Sequence, residues 1–138
     1  MHPHVNIALR AARDAADAIV HASDRLDRIK IIDKHPDSFL TSMDQEADDT
    51  IRYHLQKTFP SHSIHSRVSG HHAGENDEPI WFIDPLVGSY NFSSGHPQFA
   101  VSIANATGGV VKHAVLLSPL LGEEFIASRG DGALLNSR

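Results

Sequence analysis

The sequence predicts an α+β fold in which two helices pack on a mostly antiparallel sheet, in a single domain spanning residues 1–138. Two segments with helical spacing of apolar residues come first, and a run of short strand candidates follows them. Gly108-Gly109 and Asp131-Gly132 are turn signals between these strands. Helices followed by consecutive strands are typical of an α+β layer architecture.

The first helix is predicted over residues 3–29, where Pro3 suits a first helical turn. Its apolar residues at helical spacing are Val5, Ala8, Leu9, Ala12, Ala15, Ala16, Ile19 and Val20. The stretch LDRIKIID, residues 26–33, leaves two continuations open, a longer helix or a strand. HPDS, residues 35–38, predicts a turn.

The second helix is predicted to start near Ser42, because Ser42 and Gln45 match a capping box. Its apolar stripe comprises Ala47, Ile51, Leu55 and Tyr53. Pro60 limits its end, since the residue before a proline avoids helical geometry.

Strands are predicted in six stretches, with a polar loop at residues 70–79 between the first two. The six are SIHSRVS, IWFID, QFAVSIANA, GVVKHAVLLSP, GEEFIASRG and ALLN.

Composition indicates a soluble globular protein, with 41% apolar and 21% charged residues among 138. The sequence has no apolar run of membrane-spanning length and no secretory signal, so we expect a cytoplasmic location. A formal net charge of −5 disfavours direct, non-specific binding of nucleic acid. The absence of cysteine excludes disulfides and thiolate chemistry.

One motif carries most of the functional information, the stretch WFIDPLVGSYNF at residues 81–92. It predicts a strand ending at Asp84, a tight turn at Gly88 and a helix start at Ser89. The motif resembles the WxIDPLDGTxNF signature of the inositol monophosphatase family, especially its bacterial SuhB-type members. Further segments resemble that family in the same order, namely MHPHVNIALRAAR, KHPDSFLTSMD, FPSHSIHSRVSG, HPQFAVSIA and RGDGALLN.

The resemblance implies the N-terminal half of the sugar-phosphatase fold with a degenerate metal site. Members of this family hydrolyse phosphate monoesters with Mg²⁺ held by carboxylates. Asp84 and the Leu86 carbonyl match retained ligands, whereas Arg67 and Val68 stand at two glutamate positions and Val87 stands at an aspartate ligand. The family's C-terminal W-D-x-A-A-G-type motif is not in this sequence. The changes at Arg67 and Val87 shift the site by about three charge units toward positive, so no Mg²⁺ cofactor is expected.

Remnants of the site remain by resemblance. Asp44 and Ser89 match the positions that orient a water molecule in the family. Two arrangements of Arg67 stay open: an ion pair with Asp84 in the metal position, or a metal-free anion site. The candidate anion-binding residues are Lys34, Arg67, Gly88 and Ser89.

Three functional hypotheses follow. The first is a catalytically inactive homologue, regulatory or relic, that acts through protein contacts, as a homo-oligomer and by family analogy with transcription machinery. The second is a Mg²⁺-dependent phosphatase of inositol monophosphate or related sugar phosphates. The third and weakest is a metal-free phosphate or anion binder.

The eleven histidines raise the question of a zinc site at His62, His65, His71 and His72. Their spacing favours solvated surface side chains instead, because His62 and His65 would point to opposite faces of a strand. The acidic residues are also expected to be solvated, namely Glu75, Asp77, Glu78, Glu123 and Glu124.

Overall fold

Two long helices lie on one face of a twisted sheet in the computed structural model, which describes residues 1–35 and 38–138. Helix α1 spans Pro3–Ser23 and α2 spans Ser42–Thr58, and a short helix α3 spans Ser89–Ser93. Single 3₁₀ turns occur at Leu26–Arg28 and Pro119–Leu121. Within the described residues, neither long helix has the length and apolar character that a bilayer crossing requires.

Helix α1 ends six residues before the predicted boundary at residue 29, at Ser23. The segment left open by the sequence divides into the 3₁₀ turn and strand β1, Ile31–His35. Strand β1 pairs with β2, Ser38–Thr41, in a separate antiparallel hairpin. Pairing with β2 gives the β1 backbone hydrogen-bond partners, which is why a strand forms there. The centre of the predicted HPDS turn lies outside the described residues.

Helix α2 begins at Ser42 as predicted, but its capping box lies one residue earlier than the sequence indicated. Thr41 is the N-cap, and Asp44 rather than Gln45 returns the hydrogen bond to the cap. Ser42 instead accepts a hydrogen bond from the Lys30 amide, so its hydroxyl serves the hairpin. Tyr53 was wrongly assigned to the apolar stripe, since it is exposed.

The main sheet has the strand order β4-β3-β5-β6-β7-β8-β9. Its strands are β3 Ser63–Ser66, β4 Gly70–His72, β5 Ile80–Val87, β6 Ala100–Thr107, β7 Val110–Ser118, β8 Glu123–Ser128 and β9 Gly132–Leu135. β3 and β5 are parallel, and the other neighbouring pairs are antiparallel. This confirms the predicted α+β class with a mostly antiparallel sheet. The loop predicted at residues 70–79 is wrong at its start, because β4 pairs there with β3.

The two faces of the sheet differ in their environment, as the alternation of side chains along each strand requires. The face toward α1 and α2 carries the core residues Trp81, Ile83, Val101, Ile103, Val115, Leu117 and Ile126, all buried. The opposite face, called here the open face, carries a cross-strand row in which Leu116, Phe125 and Leu135 are directly paired. These three side chains are each about two-fifths exposed, at 40%, 38% and 38%. Phe82 lies on the same face and is likewise exposed.

Candidate functional site

The candidate site lies where β5 ends, between the start of α2 and the segment that follows β3. Gly88 turns the chain from β5 into α3 with a φ of +85°. A Cβ atom at this residue would lie 2.9 Å from the Gln98 carbonyl oxygen. The positive φ and the close backbone explain why glycine suits the turn that places Asp84 and Leu86 beside α2.

Arg67 is at the centre of this site, and its guanidinium contacts three oxygen groups. Its Nε donates to Asp84 Oδ1 at 2.8 Å, and its Nη2 donates to Asp44 Oδ1 at 2.6 Å. The same Nη2 donates to the Leu86 carbonyl at 3.0 Å. Of the two arrangements left open by the sequence, the structure therefore has Arg67 paired with Asp84.

The charge of Arg67 is well supported in this position. Burial works against the charged form, but the hydrogen bonds to Asp84 and Asp44 outweigh it and raise the pKa of the Arg67 guanidinium. The Arg67 side chain remains 37% exposed and that of Asp84 30% exposed, whereas Asp44 is fully buried. The contact with Asp44 is therefore the better desolvated of the two ion pairs.

Asp44 has all of its strong hydrogen bonds within the protein. Its Oδ2 accepts from the Thr41 amide at 2.9 Å and from the Thr41 hydroxyl at 2.7 Å, while Oδ1 accepts from Arg67. The carboxylate thus caps α2 and neutralises Arg67 at once. The resemblance implies that a residue at this position orients a water molecule. Here both oxygens of Asp44 accept hydrogen bonds from protein groups.

The other predicted site residues occupy different surroundings. Ser89 is buried, and its hydroxyl donates to the Phe39 carbonyl at 3.1 Å. Val87 is exposed and presents an apolar side chain at the end of β5. Lys34 is exposed on β1, where it pairs in register with Phe39. Ser89 and Lys34 therefore both lie next to Phe39, and neither takes part in the hydrogen bonds of Arg67.

The residues present do not fit a magnesium ion as the resemblance would place it. Mg²⁺ requires oxygen ligands in near-octahedral geometry, and the retained oxygen groups are Asp84 and the Leu86 carbonyl, with Asp44 nearby. A guanidinium already donates to all three. A divalent cation among them would lie beside a fixed positive charge and would have to displace it.

The anion-binding set remains a prediction. Helix α3 does begin after Gly88, but it is only five residues long, so it contributes little of the dipole that attracts anions. The positive charge of Arg67 is directed to two carboxylates. This arrangement leaves less positive potential for a phosphate than the sequence suggested.

The sequence reasoning missed a second buried acid, Asp48, that supports the site. Its Oδ2 accepts from Arg52 Nε at 2.9 Å, and Oδ1 accepts from the Ser66 hydroxyl. Ser66 Oγ in turn accepts from the amides of Val68 and Ser69, at 3.0 and 3.2 Å. These bonds hold the turn that carries Arg67. The Asp48–Arg52 spacing of four residues on a helix was the available signal.

Two predictions of solvated side chains are wrong. His62 is not a solvated side chain: its ring stacks on Phe59 at 4.7 Å, and its Nδ1 accepts from the Trp81 indole at 3.1 Å. Glu124 is not a free surface charge, because Arg13 donates to both of its oxygens at 2.7 and 2.8 Å. That bidentate bond lowers the pKa of Glu124.

A group of imidazoles also lies away from the candidate site. Burial and, next, the neighbouring rings of His2, His62 and His113 lower the pKa of His4 to about 4. Burial and His2 lower the pKa of His113 as well. Both rings are therefore neutral at neutral pH.

Comparison with known proteins identifies the family. The model of the inositol monophosphatase family matches residues 1–138. The Nus factor SuhB of Pseudomonas aeruginosa is 46% identical over 140 residues, covering 100% of this chain and 52% of that protein. The Nus factor SuhB of Escherichia coli is 40% identical over 136 residues, covering 99% of this chain and 51% of that protein.

Solved structures agree with this fold. The extragenic suppressor protein suhB from Bartonella henselae matches with a TM-score of 0.96 at 31% identity, over 99% of this chain and 53% of that one. The Thermotoga maritima IMPase matches with a TM-score of 0.86 at 27% identity, over 99% and 52% of the two chains. The chain spans about half the length of the curated relatives it matches. Over all 138 residues, the chain belongs to the inositol monophosphatase family.

Proposed function

We propose that this chain is a catalytically inactive member of its family that acts through protein contacts. The observation that carries the first part is the guanidinium of Arg67, which donates to Asp84, Asp44 and the Leu86 carbonyl. These are the oxygen groups that the resemblance assigns to metal binding and water orientation. A covalently attached cation therefore takes the place of a dissociable one, and it brings no water molecule to the site.

The electrostatics favour this arrangement over a metal site. Arg67 and the two carboxylates form a group with a net charge of −1, in which the guanidinium already donates to one oxygen of each acid. Metal-assisted phosphoryl transfer needs a cation that activates water and clamps the reacting oxygens. A guanidinium has no acceptor and does not lose its proton in proteins, so it serves neither the activation of water nor general-base catalysis.

The contact surface that we propose is the open face of the sheet. Leu116, Phe125 and Leu135 form a continuous apolar row there, and Phe82 adds a second aromatic ring. Contiguous exposed apolar groups on a sheet are typical of protein interfaces. We expect a second copy of this chain to cover this face, giving a homo-oligomer.

A heterologous partner is proposed by analogy alone. The relatives from Pseudomonas aeruginosa and Escherichia coli bear the name Nus factor. On this basis we propose transcription machinery as the class of protein partner, with the function exercised in the cytoplasm. The negative formal charge, −5, supports contact with protein rather than direct binding of nucleic acid.

The alternative function is Mg²⁺-dependent hydrolysis of inositol monophosphate or a related sugar phosphate. It is supported by membership of the family and by the retained Asp84. It would require additional ligands from another chain and displacement of Arg67.

Magnesium titration separates these two functions. We expect calorimetric titration of Mg²⁺ into the purified chain to show no saturable binding, and inositol monophosphate to remain unhydrolysed in the same sample. The double variant Arg67→Glu with Val87→Asp restores two acidic ligands and is expected to gain Mg²⁺ binding. Saturable binding together with phosphate release by the unaltered chain would contradict the proposal.

Light scattering tests the open face. We expect the chain to be a dimer or larger at micromolar concentration, and Phe125→Glu to shift it toward the monomer, because the charge would be buried in the contact. Tyr53→Glu is the control, since Tyr53 is an exposed aromatic residue on α2. A monodisperse monomer of the unaltered chain would refute the homo-oligomer.

A further inference from the structure

Three histidines from two separate parts of the chain meet at the start of α1. His2 is the N-cap of α1, His4 lies in its first turn and His113 lies on β7. One ring nitrogen from each histidine lies within 4.8 Å of the other two. The rings of His2 and His113 stack with centroids 4.1 Å apart, and the His4 ring meets both edge-on.

The hydrogen bonds of these rings decide which nitrogen lone pairs are available to a metal. His113 Nδ1 lies 2.9 Å from the Ser128 hydroxyl. When Nδ1 carries the proton and donates to Ser128, Nε2 is left free as a ligand, which is the second-sphere arrangement found for metal-bound histidines. His2 Nδ1 accepts the capping bond from the His4 amide, at 3.1 Å on an exposed helix end, so a metal held by His2 would replace this bond.

Two buried polar atoms near these rings lack a hydrogen bond of good geometry, although their side chains lie close enough to interact with each other. They are His4 Nδ1 and the side-chain nitrogen of Asn105, the strand neighbour of His113. Among the described residues, these are the buried side-chain polar atoms left unpaired. Unpaired buried polar groups are costly and call for an explanation, such as an ion or an ordered water. A metal at the imidazole cluster would engage the lone pair of His4 Nδ1, whereas the Asn105 amide nitrogen is a donor and needs an acceptor, such as an ordered water.

We propose that His2, His4 and His113 bind a divalent cation of the zinc class. Imidazole nitrogens suit Zn²⁺, whereas Mg²⁺ prefers oxygen ligands. With Zn–N distances of about 2.0–2.1 Å, the three nitrogens need to approach to about 3.4 Å. The exposed His2 ring would also have to turn out of its stack on His113, because a nitrogen lone pair lies in the plane of its ring. The fourth position stays open to water. The bound ion would tie the start of α1 to β7, independently of the site at Arg67.

The test uses the chain without a polyhistidine tag, and Zn²⁺ itself as the probe. We expect ZnCl₂ to raise the melting temperature and to give saturable calorimetric binding near one equivalent, while MgCl₂ at the same ionic strength does neither. Co²⁺ provides a spectroscopic readout, because tetrahedral coordination by imidazole gives intense visible absorption bands. No Zn²⁺-dependent shift and no binding would overturn the proposal.

Variants assign the binding to these three residues. His113→Gln and His2→Asn are each expected to weaken Zn²⁺ binding by at least about tenfold, the lower end of what loss of a second-sphere partner alone costs. Asparagine at residue 2 retains a helix cap, so His2→Asn tests ligation with little risk to folding. The matched control is His65→Gln with His71→Gln, a cross-strand histidine pair with centroids 6.4 Å apart. Binding lost in this control and kept in the other two variants would also overturn the proposal.

Discussion

Replacing Arg67 by glutamate is expected to destabilise the chain by about 2–3 kcal/mol when divalent cations are absent. The change removes the donor of three hydrogen bonds and places a third carboxylate beside Asp84 and Asp44. Breaking a fully buried ion pair costs about 3–5 kcal/mol, and the partial exposure of Arg67 reduces that figure. Mg²⁺ is expected to restore part of the loss, because it can now bind the clustered carboxylates.

Urea denaturation with EDTA, and again with MgCl₂ at matched ionic strength, measures both effects. Arg13→Glu is the control, because it converts another arginine–carboxylate pair, but one on the surface with 54% of the Arg13 side chain exposed. That variant should lose no more than about 1 kcal/mol and gain nothing specific from Mg²⁺. A stability of Arg67→Glu equal to that of the unaltered chain would show that Arg67 does not hold the site together.

Replacing Asp44 by alanine is expected to cost about 3–5 kcal/mol of unfolding free energy. The side chain is fully buried and accepts hydrogen bonds from Thr41 and Arg67. Its removal takes away half of the α2 capping box, worth about 1 kcal/mol, and leaves the Arg67 charge with one fewer partner. A loss of this size is a large part of the stability of a typical domain.

Asp44→Asn separates the two roles of this residue. Asparagine retains an acceptor for the Thr41 amide but removes the charge that pairs with Arg67, so we expect a loss between those of alanine and no change. A double-mutant cycle with Arg67→Ala should give a coupling free energy of about 0.5–3 kcal/mol. Strictly additive losses would mean that the 2.6 Å contact between Asp44 and Arg67 contributes nothing to folding.

Both predictions depend on the same physical arrangement, in which the Arg67 guanidinium pairs with two carboxylates. A metal ion stabilises a cluster of carboxylates only while it is bound, so the stability of such a site depends on metal concentration. A guanidinium that belongs to the chain is present at every metal concentration. It is also planar, with donors in fixed directions. We therefore expect the site at the end of β5 to keep its shape when no metal ion is bound.

Much of the fold could be read from the sequence because its signals are local. Helical spacing placed both helices, and the glycine pair at residues 108–109 placed the hairpin between β6 and β7. The predicted start of α2 at Ser42 was right, although the predicted cap was one residue too late. Threonine and serine both make good caps, so residue type alone does not distinguish Thr41 from Ser42 as the N-cap.

The partners of the charged and polar side chains could not be read in this way, because they are distant in sequence. Glu124 was predicted to be solvated, but it pairs with Arg13, which lies 111 residues earlier in the sequence. His62 was predicted to be solvated, but its ring packs on Phe59 and accepts a hydrogen bond from Trp81. Each depends on how helices lie on the sheet, which periodicity does not determine.

The sequence by itself determined the layer architecture and the family resemblance, and the resemblance implies that Arg67 and Val87 replace acidic residues. Only the tertiary structure decided what Arg67 does, because its partners come from α2 and β5, 23 and 17 residues away. Only the tertiary structure brought His2 and His4 to His113. The reason is physical: backbone conformation follows from nearby residues, whereas electrostatic and metal-binding groups act over a few ångströms in space, which chain folding alone establishes.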